Sequence, residues 1–228
     1  LFRSALSTSV LISASVAPVS VARVKIYFDA GATNVGLPVD AATAKTYSVV
    51  KGHPEPVFER SWEVLTKCAQ LWPGRISTHL IVGLGETEED AVRFLEKARD
   101  AGVTVGLFAF TPVRGTAMES QAPPAVSSYR RVQLAAHYLK RGGDIGGIEF
   151  SHGRISGIGL EGHLLEEAAA GRPFETSGCL YCNRPYYNER PGQVMMNYPR
   201  PLRQDEVAQA LTDSGLDFSH AQDPSRGR

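Results

Sequence analysis

Cysteine is scarce in this chain. Only 3 of 228 residues carry a thiol, too few and too odd in number for a disulfide scaffold, so a reduced, cytoplasmic protein is expected. No apolar run reaches the roughly 18 residues that a membrane-spanning helix needs. Neither sign of charge dominates, with Lys+Arg 24 against Asp+Glu 24. A general nucleic-acid binder or a polybasic membrane-surface protein uses a field of one sign, and neither partner is expected here. No G-x-G-x-x-G occurs, and no G-x-x-x-x-G-K followed by Ser or Thr, so a nucleotide phosphate loop is excluded. Internal repeats and low-complexity tracts are absent as well. What remains is an ordinary globular chain, 43% apolar, with Gly 22 and Pro 14 to supply turns.

Hydrophobic periodicity alternates between strand and helix along the chain. Residues 10–16 read as a strand, 21–30 as a helix stopped by Gly31, 34–39 as a strand ending at Asp40, and 41–50 as a helix broken at Gly52-His-Pro54. Phe58, Trp62, Leu65, Ala69 and Trp72 then share one helical face, with Cys68 on the same helix as a packed thiol. Pro73-Gly74 stops it. A β-rich run at 76–84 leads to Thr87, which with Asp90 has the spacing of a capping pair, ahead of a helix facing Val92, Leu95 and Ala98 inward. Another strand, 103–110, precedes a helix lined by Tyr129, Val132, Ala136 and Leu139. Beyond Arg141 the character changes to a Gly-rich strand pair (146–150 and 155–160), a short helix near 164–170, and a turn-rich stretch holding the other two cysteines.

Four strand–helix units before Lys140 predict an α/β fold. The expected architecture is a partial parallel (β/α) barrel of the TIM type over 1–160, a cysteine-bearing extension over 161–203, and a short helix with a frayed tail over 204–228. The opening 1–22 is apolar, with Arg3 ahead of the run and Ser20-Val-Ala22 resembling a cleavage site. Ser13, Ser15 and Pro18 interrupt it and a βα unit follows, so a buried strand is the preferred reading over a secretory signal. The start at Leu1 rather than Met predicts a longer parent protein.

The segment Thr78-His-Leu-Ile-Val-Gly-Leu-Gly-Glu-Thr-Glu-Glu-Asp90 joins a strand to a capped helix through two glycines. Such a junction lets a ligand approach backbone closely at the carboxyl end of a strand. It serves equally as a tight turn whose Glu88, Glu89 and Asp90 complement the helix dipole. On the next strand Phe108 and Phe110 alternate onto one face, to flank an aromatic ligand or to fill a core.

Ile81-Val-Gly-Leu-Gly-Glu-Thr87, Phe110-Thr-Pro-Val-Arg-Gly-Thr116 and Tyr129-Arg-Arg-Val-Gln-Leu-Ala-Ala136, in this order, resemble the back half of biotin-synthase-like radical S-adenosylmethionine enzymes, with Asn34-Val-Gly-Leu-Pro-Val-Asp-Ala-Ala-Thr43 similar to their preceding strand. The likeness covers roughly 10–160. It implies that Ile81, Gly83 and Glu86 belong to the motif that cradles the adenine of S-adenosyl-L-methionine, with His79 replacing the motif's first glycine. It also implies that the backbone around Phe108 and Phe110 meets the adenine edge and that Asp40 holds ribose or substrate. Asp40 reads as well as the cap of the helix at Ala41. The family's C-x-x-x-C-x-x-C loop, which holds its 4Fe-4S cluster, is absent from the chain, and an upstream position is expected for it. This chain alone is therefore expected to be inactive.

Phe174-Glu-Thr-Ser-Gly-Cys-Leu-Tyr-Cys-Asn-Arg-Pro-Tyr-Tyr-Asn-Glu-Arg-Pro-Gly192 carries the second signal. Cys179 and Cys182 are spaced to share one metal ion, one edge of an iron–sulfur cluster, or a redox pair, with Arg184 and Arg190 to offset cluster charge. This tail resembles the carboxyl end of one subunit of the two-protein lipoyl synthases, and Ser151-His-Gly-Arg154 is similar to the turn by which biotin synthases place an arginine near their auxiliary cluster. The resemblance implies hydrogen abstraction by a 5′-deoxyadenosyl radical, with sulfur insertion into an acyl or acyl-carrier substrate. It also implies an auxiliary iron–sulfur cluster at Cys179 and Cys182 and a second radical subunit as partner. The alternatives are another biotin-synthase-like radical enzyme, a non-catalytic nucleoside- or acyl-carrier-binding partner, and a structural module holding zinc.

Overall fold

A computed structural model describes residues 2–5, 9–18, 20–179, 182, 192 and 194–218. After a short helix α1 (Phe2–Ala5), four parallel strands form one sheet: β1 (Ser13–Ser15), β2 (Asn34–Gly36), β3 (Ile76–Val82) and β4 (Thr104–Ala109). Their spatial order follows their chain order, β1-β2-β3-β4. The connecting helices are α2 (Val21–Asp29), α3 (Ala44–Lys51) with α4 (Glu55–Leu71), and α5 (Glu88–Asp100). Right-handed crossovers between sequential neighbours put every connecting helix on the same face.

Burial agrees with that geometry. Val35, Ile76, Leu80, Val82, Leu107 and Ala109 alternate onto the helix-covered face and form the core with Trp62, Leu65, Phe94 and Leu95. The opposite face, called inner here, carries Ser13, Ser15, Asn34, Ser77, His79, Ile81, Thr104, Gly106 and Phe108. The expected parallel α/β arrangement of four strand–helix units is therefore present.

Local chemistry explains the element boundaries. Thr87 accepts from Asp90 N–H at 3.1 Å while the Asp90 carboxylate accepts from Thr87 N–H at 3.0 Å, so the anticipated capping pair forms in full. Strand β2 is shorter than 34–39 because Pro38 has no N–H to donate. On the other edge of β2, facing β3, the buried Thr78 hydroxyl replaces ladder bonds, donating to Leu37 O at 2.8 Å and accepting from Val39 N–H at 3.2 Å. Helix α3 begins at Ala44, and its cap is Thr43, which accepts from Thr46 N–H at 3.1 Å. Asp40 is thus not the helix cap.

Following β4, α6 (Val126–Lys140) leads to an antiparallel hairpin of β5 (Ile148–Ser151) and β6 (Arg154–Ile158), then α7 (His163–Ala169) and α8 (Gln204–Ser214). The first expected strand of the pair begins late. Residues 145–147 form a single 3-10 turn instead, and the Tyr138 side chain lies where a side chain on Gly143 or Gly147 would stand.

Helix α6 ties the carboxyl-terminal segment to the sheet. The Arg130 guanidinium is buried over the rings of Phe174 and Tyr198, at 5.3 and 5.6 Å. It donates to Met195 O and Met196 O, each at 2.7 Å, and to Gln133 Oε1 at 2.8 Å. Gln133 donates in turn to Asn197 Oδ1 at 3.0 Å. At the next position, Arg131 holds Glu88 through two hydrogen bonds and donates to Ser214 O at 2.8 Å, joining α5, α6 and α8. A second core of Leu134, Leu160, Phe174, Tyr198 and Ala210 forms beneath these contacts. Removing a buried cation from satisfied carbonyl partners strands those acceptors. Arg130→Met should therefore cost about 3 kcal/mol in urea unfolding. Arg130→Lys should restore less than half, because an ammonium lacks the planar fork. A loss below about 0.5 kcal/mol in the Met variant, the size of an ordinary surface change, would show that the segment does not rely on this clamp.

Candidate functional site

Three groups of residues with chemical potential meet the inner face of the sheet or its carboxyl end. The first centres on Asp40, which sits beyond β2 in a left-handed backbone conformation, φ 69°. That conformation is uncommon for a side chain other than Gly, although Asp tolerates it better than most. It is held by pairing of both its backbone groups with β3, Asp40 N–H to His79 O at 3.0 Å and Ile81 N–H to Asp40 O at 2.8 Å. The carboxylate is largely buried. One oxygen accepts from Lys51 Nζ at the end of α3, and the other lies 3.7 Å from His79 Nδ1. Burial alone raises a carboxyl pKa, but here interaction with His79 and Lys51 outweighs it and holds Asp40 below its ordinary value. The His79 ring rests on Phe108, with centroids 4.9 Å apart.

The second group is the β3–α5 turn. Gly83 and Gly85 adopt φ 102° and 109°. A side chain on Gly83 would run into the Pro124 ring, 2.8 Å from where its Cβ would lie, whereas the space beside Gly85 is open. Glu86 turns its carboxylate back on the turn, accepting from Gly83 N–H at 2.6 Å and Leu84 N–H at 3.0 Å. Gln121 donates to Gly83 O at 2.5 Å. The segment after β4 therefore closes over one side of this turn.

The third group is the cysteine pair. Bridged to Tyr198 at Glu175, the chain crosses the edge of β4, where Ser177 Oγ accepts from Leu107 N–H at 3.0 Å. Gly178 then packs against Gly106, its Cα 3.6 Å from where a Gly106 side chain would begin, with the edge of His79 at 3.5 Å from the same point. Gly178 has φ 132°, a backbone conformation that favours glycine. Cys179 follows, and Cys182 N–H donates to Cys179 O at 3.0 Å in a tight turn. Their thiols hydrogen-bond to each other, and Cys179 also to Ser13 on β1. Burial pushes the Cys179 thiol up, the Cys182 thiol adds to that, and Ser13 draws it part of the way back. Two thiols are thus delivered across the inner face from the β4 side to the β1 side.

The residues singled out in the sequence divide accordingly. Asp40 joins His79 and Lys51. Ile81 and Phe108 lie on the inner face, half-buried, and Phe110 is buried just past β4, where its N–H reaches Val82 O at 2.8 Å. Gly83 and Glu86 share one turn, and Cys179 and Cys182 another. Arg154 does not join the cysteines: its guanidinium ends 3.9 Å from where a side chain on Gly215 would begin, at the end of α8, and Gly153 packs on Thr87. Arg184 and Arg190 lie outside the described residues. Among the described residues no group of three or more His, Cys, Asp or Glu side chains is placed to hold a metal ion. None of their helices is long and apolar enough to cross a membrane.

Lys51, Ser13 and Ser177 carried no sequence signal. Lys51 is an ordinary cation in the last turn of a helix, and the two serines act through contacts separated by 166 and 70 positions along the chain. The chain matches no protein-family model and no curated protein.

Two outcomes follow from this geometry. A depressed carboxyl pKa adds stability that is fully present above the unfolded-state value near 3.8 and is lost as pH falls through the lower folded value. Asp40→Asn should therefore be less stable than wild type at pH 7, by no more than about 1 kcal/mol given the half-exposed Lys51. The difference should vanish in acid unfolding scans, and one that grows on acidification would contradict the assignment. Cys68 is fully buried, with its thiol pushed up to about 11 by burial. Titration of the native chain with a thiol reagent should find two reactive cysteines, and the third only in denaturant.

Proposed function

We propose that this chain is the carboxyl-terminal part of a radical S-adenosylmethionine enzyme, with β1–β4 as four strands of its partial (β/α) barrel. The reaction class is sulfur insertion of the lipoyl type into an acyl or acyl-carrier substrate. One observation carries the reading: the Cys179–Cys182 turn is brought onto the inner face, the side that the connecting helices leave free. In parallel α/β folds ligands are held at the carboxyl ends of the strands, and Asp40 and the β3–α5 turn stand at those ends.

The residues fit the implied groups unequally. A 4Fe-4S cluster that binds the cofactor needs three thiolates on one loop. Residues 1–228 do not contain that loop, so no step is derived through such a cluster. The cysteine pair does fit an edge of an auxiliary cluster, as two adjacent thiols with a hydroxyl beside one of them, and it leaves further ligands to be supplied from elsewhere. When bound, an auxiliary cluster supplies sulfur for insertion. The chain's own residues hold and shield. Cys179 and Cys182 offer thiolates, Ser13 stabilises the first of them, and Asp40 presents a carboxylate for hydroxyl groups at the strand ends. Phe108 offers an apolar surface. The nucleoside approaches the β3–α5 turn from the open side at Gly85, since Pro124 covers Gly83.

The test is anaerobic expression of the longest reading frame that contains this chain, with assays of iron, sulfide and 5′-deoxyadenosine. The expected result is cofactor cleavage that survives Cys179→Ala and Cys182→Ala, together with loss of about half of the bound iron and of all sulfur insertion into an octanoyl carrier. Absence of 5′-deoxyadenosine from the wild-type frame sinks the radical reading. Tight zinc at the pair in place of iron assigns it to a structural site.

A further inference from the structure

The lateral edge of β4 is finished only in part. Phe110 N–H reaches Val82 O on β3, so even-numbered residues direct their backbone groups towards β3, and odd-numbered residues direct theirs away from it. Leu107 is the odd residue whose groups are satisfied: Ser177 Oγ takes its N–H at 3.0 Å, and Tyr129 Oη and Asn197 Nδ2 donate to its carbonyl at 3.0 and 3.3 Å. Closer to the amino end of the strand, the carbonyl of Val103 and both the N–H and C=O of Val105 face the same way. These three groups have no hydrogen-bond partner among the described residues.

They line a cavity of about 510 Å³ between β4, the last turns of α6 and residues 172–178. Its size suits a bound ligand. The spacing of the open groups is that of a ladder. A residue added in parallel donates to Val103 O and accepts from Val105 N–H, and one added antiparallel exchanges both bonds with Val105. The Ser177 hydroxyl stands where the next carbonyl of such a strand would be, which sets the upper end of the gap.

The mouth of the cleft is cationic. Arg141 is engaged by Glu167 and Arg172 by Glu175, at 3.1 Å in the second case, while Lys140 has no carboxylate partner among the described residues. His137 lines the same cleft, with its Nε2 2.8 Å from Glu167 Oε2; burial first, and then the charges of Arg141 and Lys140, hold it down at about 4 against an opposing pull from Glu175.

We propose that this cleft takes an extended acidic peptide segment of a partner protein, added to β4 at Val103 and Val105 and held at its mouth by Lys140. An open ladder supplies affinity that is independent of side chains, and the cationic mouth supplies selectivity for the sign of the partner's charge. A small anion would use the cations and leave Val103 and Val105 unpaired. The proposal uses none of the cysteine chemistry and stands apart from the radical reading.

Fluorescence anisotropy with labelled hexapeptides tests it, using alternating Val-Glu, its Val-Lys counterpart, and Val-Glu peptides N-methylated on one or the other alternate set of amides. The Val-Glu peptide should bind, and the Val-Lys peptide at least about tenfold more weakly. Methylation of one alternate set should abolish binding while methylation of the other is tolerated, because only every second amide faces the ladder. Lys140→Glu should weaken the Val-Glu peptide by about tenfold, with Lys140→Gln as the milder variant should the first not fold. Amide exchange at Val105 should be fast in the free chain and slow in the complex. No binding of the Val-Glu peptide at about 1 mM, equal binding of the Val-Lys peptide, or equal tolerance of both methylation sets would each overturn the proposal.

Discussion

A parallel strand at the edge of a sheet must dispose of backbone groups that have no neighbouring strand, and in this chain the disposal of those on Leu107 organises the carboxyl-terminal half. A hydroxyl from Ser177 takes the N–H, and a phenol and an amide from Tyr129 and Asn197 take the carbonyl. Two of these three residues come from the segment beyond 170, so the edge is closed by a distant part of the chain. An unpaired buried group costs about 1–3 kcal/mol, and the N–H of Leu107 is satisfied only when that segment is docked, while its carbonyl keeps Tyr129 of α6 as one of its two donors. Arg130 makes the docking firm because its fork satisfies two carbonyls on the incoming segment while its face lies against Phe174 and Tyr198. A single ammonium cannot do both.

Docking has a chemical consequence, because Ser177 is two residues from Cys179. Once its hydroxyl is seated on β4, the next residue has only the inner face to cross, and it crosses at a pair of glycines. Gly178 lies against Gly106, and the chain passes His79 towards Ser13. The position of the two thiols is thus a result of edge closure and backbone contact, with no need for direct interactions from the sulfur atoms beyond Ser13. The arrangement also orders the energetics. Loss of the Arg130 clamp releases the edge of β4 and the cysteine turn together, since one strip of chain serves both.

Much of this fold was legible in the residues, and the illegible parts share a cause. The apolar stripe from Phe58 to Ala69, the Thr87–Asp90 pair and the four strand–helix units were readable because each is a local pattern of period 2 or 3.6, or a capping contact three residues long. Strand β2 came out shorter than its apolar run because Pro38 cannot donate on the β1 side, while on the β3 side the Thr78 hydroxyl stands in for ladder bonds. Asp40 resembled a helix cap, yet its carboxylate belongs to Lys51 and His79, while Thr43 takes the cap. The backbone at Asp40 turns left-handed, which no residue pattern announces. The Cys-x-x-Cys spacing was plain in the sequence, but its destination depends on Ser13 and Leu107, 166 and 72 positions away. Arg154 shows the opposite error: a four-residue likeness suggested a neighbour for the cysteines, and the hairpin that carries it packs on Thr87.

The make-up of the inner face bears on what it is for. All-parallel sheets are ordinarily covered on both faces and read as continuous apolar runs. Here only the helix side does. The inner side offers Ser13, Ser77, His79, Thr104 and a half-buried Phe108, a set that packs poorly against another apolar layer. A glycine at 106 leaves room for the Gly178 backbone beside it, and Asp40 keeps an uncommon conformation that a plain connection would not require. Each of these choices lowers stability relative to a valine-lined face. Together they make room for polar side chains, two thiols and a carboxylate on a surface whose rigidity comes from the other side of the sheet. That division, packing on one face and polar groups on the other, is what a site that must hold a polar ligand in a fixed geometry requires.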